Sequence, residues 1–342
     1  MNRIRLYPSG REVPCPDGDT VLSALEQAGY ALPNNCRAGA CGECKVKVRS
    51  GHFDQGMVLD MALSQAERKE GLGLMCMAKP LSDVLEIEWG TEDARPKLYP
   101  PGENVPFILI DKTPLTPGIS AFRLRPLGPP LRYWPGQYVM AGDEEAGVPA
   151  RCYSIANAPR PDGEILLQVT RVDDGATSRW LHDRIQPGDP LRLSGPYGTF
   201  IGDPSVDTPV LCLAAGSGLA PIRALTDAAL SHNFAKPVTL LFSARTRQDL
   251  FDRGMMAFWE ATHRNFRYRY TLTGESDAPL TGRIPAILPG LFRDLSGHSV
   301  FVAGAPGFVT DCVAAVRTLG GREDRIHTER YVPQGRTEGH RP

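Results

Sequence analysis

The sequence predicts a multidomain chain, part α+β and part doubly wound α/β, with a small antiparallel β-barrel between the two. Three observations predict it. A cysteine-bearing loop at residues 34–46 lies among short alternating strands and short helices. From Phe107 onward, short apolar runs are cut at even spacing by glycine and proline, which is the pattern of a small antiparallel barrel. After Pro209 continuous apolar strands alternate with helices, as in a doubly wound parallel sheet. A length of 342 residues exceeds one ordinary core and suits two or three domains. The divisions fall at residues 1–92, a linker at 93–104, a barrel at 105–204 and an α/β domain at 205–342.

Taken in order, residues 3–7 alternate polar and apolar side chains, and Pro8-Ser9-Gly10 turns the chain into a second strand. Asp19-Thr20 supplies an N-cap for a helix over residues 21–28, with Gly29 after it. A strand at 45–49, a helix start at 63–67 and an alternating strand at 85–89 follow the cysteine loop. Residues 90–105 are polar and carry Pro96, Pro100 and Pro101, the composition of a semi-stiff tether. Barrel strands are expected at 107–112, 119–127, 138–141, 150–156, 165–172 and 190–194. The parallel strands fall at 210–215, 238–242, 266–272 and 300–303, with a helix at 220–230 after the first.

Hydrophobic content of 42% and charged content of 23% describe an ordinary globular protein. A net charge of −1 argues against nucleic-acid binding, which usually needs a basic excess. No apolar run reaches the length of a membrane span, and residues 1–8 lack the apolar core of a signal peptide. The expectation is a cytoplasmic monomer. There Cys15, Cys152, Cys212 and Cys312 stay reduced, and Cys15, Cys212 and Cys312 read as small core or surface residues.

The other four cysteines carry chemistry. Cys36, Cys41, Cys44 and the distant Cys76 read C-x4-C-x2-C…C, the plant-type spacing for a [2Fe–2S] cluster with a potential near about −400 mV. Ala38, Gly39, Ala40 and Gly42 leave room for inorganic sulfide and for backbone N–H groups aimed at sulfur. Zinc usually takes paired CxxC units, and here Cys41 and Cys44 form only one. The order of hairpin, helix, cysteine loop and strand resembles the β-grasp fold of plant-type ferredoxins.

Arg151-Cys152-Tyr153-Ser154 has the form R-x-Y-S and resembles the ferredoxin–NADP reductase superfamily. The resemblance implies that Arg151 pairs with a flavin phosphate, Tyr153 packs on the isoalloxazine and Ser154 sits near flavin N5. Tyr153 and Ser154 are thus the expected catalytic pair. Gly175-Ala176-Thr177-Ser178 resembles that superfamily's G-x-x-S at a helix start, where N–H groups and the helix dipole favour a pyrophosphate, hence FAD. Trp134-Pro135-Gly136-Gln137-Tyr138 resembles its strand entry, and Gly195-Pro196-Tyr197-Gly198 its closing turn.

Gly216-Ser217-Gly218-Leu219-Ala220-Pro221 follows a buried strand and resembles the same group's G-T-G-x-x-P nicotinamide loop, with Ser217 for threonine. Arg245 and Arg247 suit a 2′-phosphate, whereas Asp249 suits a free 2′-hydroxyl. The Ala-Arg-Thr segment resembles NADH-using members, which tilts the expectation from NADPH to NADH. Ala303-Gly304-Ala305-Pro306 resembles the C-G-x-P segment beside the nicotinamide, with Ala303 where cysteine is usual. Glu329 and Tyr331 either flank the flavin or serve the fold alone.

Together these motifs resemble the reductase components of bacterial multicomponent oxygenases. The resemblance implies NAD(P)H, FAD and a [2Fe–2S] cluster working in series toward a separate terminal oxygenase of Rieske, diiron or P450 type. The same architecture also serves CDP-6-deoxyhexose dehydratase reductases, and a cluster-bearing redox sensor without turnover is the alternative from another class.

Overall fold

The computed structural model describes residues 1–203, 207–276 and 280–331. The chain packs as two compact units, one of residues 1–101 with 197–199, the other of residues 102–196 with 200–331.

In the first unit β1 (Asn2–Tyr7) and β2 (Arg11–Cys15) form the expected hairpin. Ile4 and Leu6, two apart on β1, face one side and are fully buried. Helix α1 (Val21–Gln27) begins where the Thr20 hydroxyl accepts the Ser23 N–H at 3.2 Å. β3 (Lys45–Ser50), β4 (Phe53–Asp54), α2 (Gln65–Lys69), β5 (Leu72–Leu74), β6 (Lys79–Pro80) and β7 (Val84–Glu88) complete the unit. The five-stranded sheet has the order β2-β1-β7-β3-β5, with β1 and β7 parallel. Leu22 and Leu25 of α1 close its core with Leu85 and Ile87.

The proline-bearing stretch differs from a tether. Lys97 and Leu98 donate their N–H groups to the Gly29 carbonyl at 2.8 and 3.0 Å, and the Gln27 side-chain amide donates to the Pro101 carbonyl at 3.3 Å. Gly29, at φ +79°, sits so close to the Leu98 carbonyl that a Cβ would lie 2.8 Å from it. Backbone hydrogen bonds to the end of α1 therefore hold the segment in place.

The second unit opens with β8 (Gly102–Thr116), β9 (Ile119–Pro126), β10 (Tyr138–Asp143), β11 (Val148–Ser154), β12 (Ile165–Thr170), α3 (Ala176–Asp183) and β13 (Pro190–Tyr197). The antiparallel order is β11-β10-β13-β8-β9-β12, and the two edges meet at a single Ile155–Leu167 bridge. The sheet is thus curled into a half-barrel around Phe107, Phe122, Leu124 and Val139. Gly195-Pro196-Tyr197, expected as a closing turn, is instead the end of β13. Gly195, at φ +144°, carries the strand past a register shift and pairs with Gly102.

β14 (Val210–Ala215), α4 (Leu219–Ser231), β15 (Val238–Ala244), α5 (Arg253–Thr262), β16 (Phe266–Leu272), β17 (Leu280–Thr281), α6 (Ile284–Leu291), β18 (Ser299–Gly304), α7 (Pro306–Thr318) and β19 (Ile326–Arg330) follow. They form a parallel sheet of order β17-β16-β15-β14-β18-β19. Every residue of β18 is buried, as a strand covered on both faces requires. The strand order reverses between β14 and β18, which creates a switch point at their carboxyl ends. A polar brace joins this sheet to the half-barrel. Asp252, just before α5, takes the Gln168 amide of β12 at 2.6 Å and the Arg223 guanidinium of α4 at 3.1 Å.

Gly136 lies at φ +94°, and a Cβ there would meet the Phe200 carbonyl oxygen at 1.9 Å. Gly136→Ala should therefore cost more than about 2 kcal/mol, because strain at positive φ adds to a backbone clash. A thermal melt of the purified variant checks this; an unchanged midpoint would mean the loop relaxes freely.

Candidate functional site

The four thiols form two pairs. Cys36 and Cys41 hydrogen-bond each other, and so do Cys44 and Cys76. The Cys41 thiol is the main influence drawing Cys36 down to about 5, against the effect of burial, and the N–H groups of Ala38, Ala40 and Cys41 add to it. Those N–H groups approach the Cys36 sulfur at 3.3–3.4 Å, and the Cys76 N–H approaches the Cys44 sulfur at 3.4 Å. Cys41 and Cys76 are pushed up, first as the donors within their pairs and then by burial. Among the described residues no group of three or more His, Cys, Asp or Glu is gathered as one metal ion would require. Two thiol pairs with N–H donors on sulfur suit a two-iron cluster. Cys36, Cys44 and Cys76 are buried and Cys41 is half-exposed.

A charged brace supports this loop. Arg37, at φ +53°, donates from Nη1 to both carboxylate oxygens of Glu26 on α1 at 2.6 Å, and Asn34 donates to the same carboxylate at 3.2 Å. Burial is the larger influence on Glu26 and pushes its carboxyl upward, while Arg37 opposes it.

On the half-barrel, β11 carries Arg151, Tyr153 and Ser154. Arg151 is half-buried, with Nη1 on the Ala150 carbonyl at 2.9 Å. Tyr153 is half-buried against the half-barrel core, and burial pushes its phenol above the ordinary range. The Ser154 Oγ lies 3.0 Å from the Tyr331 hydroxyl, which also donates to the Ser217 carbonyl at 3.3 Å. Ser217 Oγ in turn accepts from Thr170 at 2.9 Å. Burial pushes the Tyr331 phenol upward too, so it stays a neutral donor. The structure thus brings Ser154 and Ser217, from two separate motifs, onto one side chain.

Gly175 precedes α3 and no side chain caps the helix start. A Cβ on Gly175 would lie 2.6 Å from the Ser178 Oγ and 2.9 Å from the Val172 Cβ, so the turn admits only glycine. The Thr177 hydroxyl bonds the Pro149 carbonyl of β11, and Ser178 Oγ takes the Val172 N–H at 3.1 Å. Both hydroxyls hold the turn, and the first-turn N–H groups of α3 carry no side-chain cap.

The remaining motifs gather at the switch point. Gly216 adopts φ +54° with open space where a Cβ would stand. A Cβ on Gly218 would lie 2.2 Å from the Ala303 carbonyl oxygen, so this glycine exists for close packing of the β14 loop on β18. Pro221 is buried in α4, and Pro306 starts α7 next to Gly304. Arg245 and Arg247 follow β15 at the same sheet edge. Asp249 is committed locally, accepting the Thr246 N–H and hydroxyl at 2.9 and 2.8 Å.

Reasoning from sequence left Glu26 and Glu275 off the site and left Tyr331 open between site and fold. Glu26 stands eleven positions from Arg37 with no motif to link them. Tyr331, open between flanking the flavin and serving the fold, meets both Ser154 and Ser217. Glu275 follows β16 and reaches Arg247.

Comparison with known proteins agrees with this geometry. Residues 4–81 match the 2Fe-2S iron-sulfur cluster binding domain, 106–201 the oxidoreductase FAD-binding domain and 212–314 the oxidoreductase NAD-binding domain. The aromatic O-demethylase reductase subunit of an Amycolatopsis species is 34% identical over 95% of this chain and 97% of its own. The reductase component DmpP of a Pseudomonas phenol 2-monooxygenase is 32% identical over 96% of this chain and 94% of its own. The crystal structure of the Amycolatopsis cytochrome P450 reductase GcoB superposes with a TM-score of 0.87 at 31% identity, covering 97% of this chain and 99% of that one.

A [2Fe–2S] domain, an FAD domain and an NAD domain in series define an NAD(P)H-dependent iron–sulfur flavoprotein oxidoreductase. The chain belongs to the family of such reductases found as components of oxygenase systems. Among the described residues no helix is long and apolar enough to cross a membrane.

Tyr331→Phe removes the hydroxyl that meets both Ser154 and Ser217. Stability of the flavin-loaded protein should fall by about 1 kcal/mol, seen as a lower denaturation midpoint. An unmoved midpoint would mean neither serine depends on it.

Proposed function

We propose that this chain takes electrons from NADH and delivers them one at a time to a separate terminal oxygenase component. The observation that carries the reading is the presence, in one polypeptide, of two N–H-supported thiol pairs and a glycine-lined switch point next to an R-x-Y-S strand. When bound, the nicotinamide and flavin supply two-electron hydride chemistry, and the cluster supplies one-electron release.

The chain's own residues bind, orient and insulate. Arg151 offers a forked donor to the flavin phosphate, and the first turn of α3 from Gly175 to Ser178 offers N–H groups to the pyrophosphate. The Tyr153 ring supplies an aromatic face to the flavin, and its buried phenol stays protonated. Ser154 presents a hydroxyl whose direction Tyr331 fixes at 3.0 Å. Gly216, Ser217, Gly218 and Pro221 form the loop that admits a dinucleotide at the carboxyl edge of β14, and Gly304 with Pro306 borders it from β18. Arg245 and Arg247 border the adenosine ribose at the end of β15.

Cys36 with Cys41, and Cys44 with Cys76, would hold the cluster's irons, and Cys41 is the least buried of the four. No general acid or base is needed, since the cofactors carry the chemistry. NADH is the proposed donor because the Ala244-Arg245-Thr246 segment resembles that of NADH-using members and Glu275 sets a carboxylate beside Arg247.

The test is steady NADH-driven reduction of cytochrome c by the holoprotein. Cys76→Ser should abolish that activity together with acid-labile sulfide, while NADH-driven ferricyanide reduction through the flavin is retained. An intact cluster in this variant would refute the ligand assignment; absence of cytochrome c reduction in the wild-type holoprotein would refute the function.

A further inference from the structure

The ribose edge carries a charge arrangement that the sequence motifs do not explain. Arg245 and Arg247 follow β15, and two cations there would suit a 2′-phosphate. The structure sets a carboxylate against one of them from the next strand. Glu275, three residues past the end of β16, accepts the Arg247 backbone N–H at 3.0 Å and lies 3.7 Å from the Arg247 Nε. Its side chain is about one-third exposed, and Arg247 just under half, so both face solvent at this edge.

The placement is fixed by backbone. Gly274 donates its N–H to the Arg245 carbonyl at 2.8 Å, and Thr273 donates to the Ala244 carbonyl at 3.0 Å. A Cβ on Gly274 would meet that Arg245 carbonyl at 2.9 Å, so glycine is what lets the two strand ends lie this close. Glu275 is thereby held beside Arg247. The other acid of the loop is turned away, since Asp249 caps Thr246 with the same oxygen that takes its N–H and hydroxyl.

We infer that Glu275 is the residue that selects NADH over NADPH in this chain. It partly neutralises Arg247, places a negative charge where a 2′-phosphate would seek the guanidinium, and offers an acceptor to a free 2′-hydroxyl. A phosphate carrying close to two negative charges would have to displace or face this carboxylate, whereas a hydroxyl would not. The usual Rossmann acid stands at the end of the second strand; here that role passes to the third strand, β16, which lies beside β15 in the sheet. The inference rests on the proposed use of NADH.

The experiment compares kcat/KM for NADH and NADPH in ferricyanide reduction by FAD-loaded wild type, Glu275→Gln and Glu275→Ala. Glu275→Gln keeps an oxygen to accept the Arg247 N–H, so the loop stays closed while the charge is gone. The NADH-to-NADPH ratio should fall about tenfold in both variants, carried by a lower KM for NADPH. A wild type that prefers NADH with variants that keep its ratio would overturn the inference and leave the NADH reading standing. A wild type that uses NADPH as well as NADH would overturn the NADH reading, and the inference with it. Adding Arg247→Ala to Glu275→Gln should restore the preference for NADH; if NADPH use persists there, Arg247 is not the group that Glu275 restrains.

Discussion

A peptide loop outside helix and sheet keeps its conformation only if something accepts its N–H groups. Between residues 35 and 44 that acceptor is sulfur. Ala38, Ala40 and Cys41 all point at one thiol, Cys36, and Cys76 points at Cys44. The loop closes on its own thiols, and hydrogen bonds of this kind also stabilise sulfur as thiolate. Such donors are weak singly, so the loop needs an external anchor. The Glu26–Arg37 pair supplies it from α1, where three donor contacts to one buried carboxylate offset much of the cost of burying it.

The second unit solves a different problem by close approach. The strand order of its parallel sheet reverses between β14 and β18, so two strand ends and two loops converge there. Side chains would keep them apart. Gly218 removes the obstruction on one loop, and Gly304, at φ +157°, turns the other beneath Phe308. Tyr331 then crosses from the end of β19 to bond Ser154 and Ser217, so the half-barrel motif and the switch-point motif share a partner. The Gln168–Asp252–Arg223 brace joins the same two sheets.

The fold class was legible because its signals are periodic or covalently explicit. Alternation in β1, continuous burial in β14 and β18, and the cysteine spacing each survive without tertiary context. The contacts that set the site were not legible, because they join residues that no motif spaces together. Arg37 and Glu26 read as an arginine after a cysteine and a glutamate on a helix. Lys97 and Leu98 read as linker because proline and charge mark an exposed segment, yet their backbone N–H groups find the free carbonyl of Gly29. Gly195 read as a turn residue because glycine and proline together usually are one, but a strand with a register shift also needs such a residue.

Carboxylates in this chain have a consistent use. Glu26 fixes the cysteine loop, Asp249 caps the turn after β15, Asp252 joins the two sheets, and Glu275 restrains Arg247. In an enzyme built on acid–base chemistry one would look among such groups for a proton donor. Here each is engaged with a cation or a backbone donor. Burial pushes the Glu26 carboxyl upward, and its oxygens are occupied by Arg37 and Asn34. Acids committed in this way act as mechanical parts. That fits a protein whose reactions belong to its cofactors, and in which the chain's own contribution is to fix where loops lie and which charges they meet.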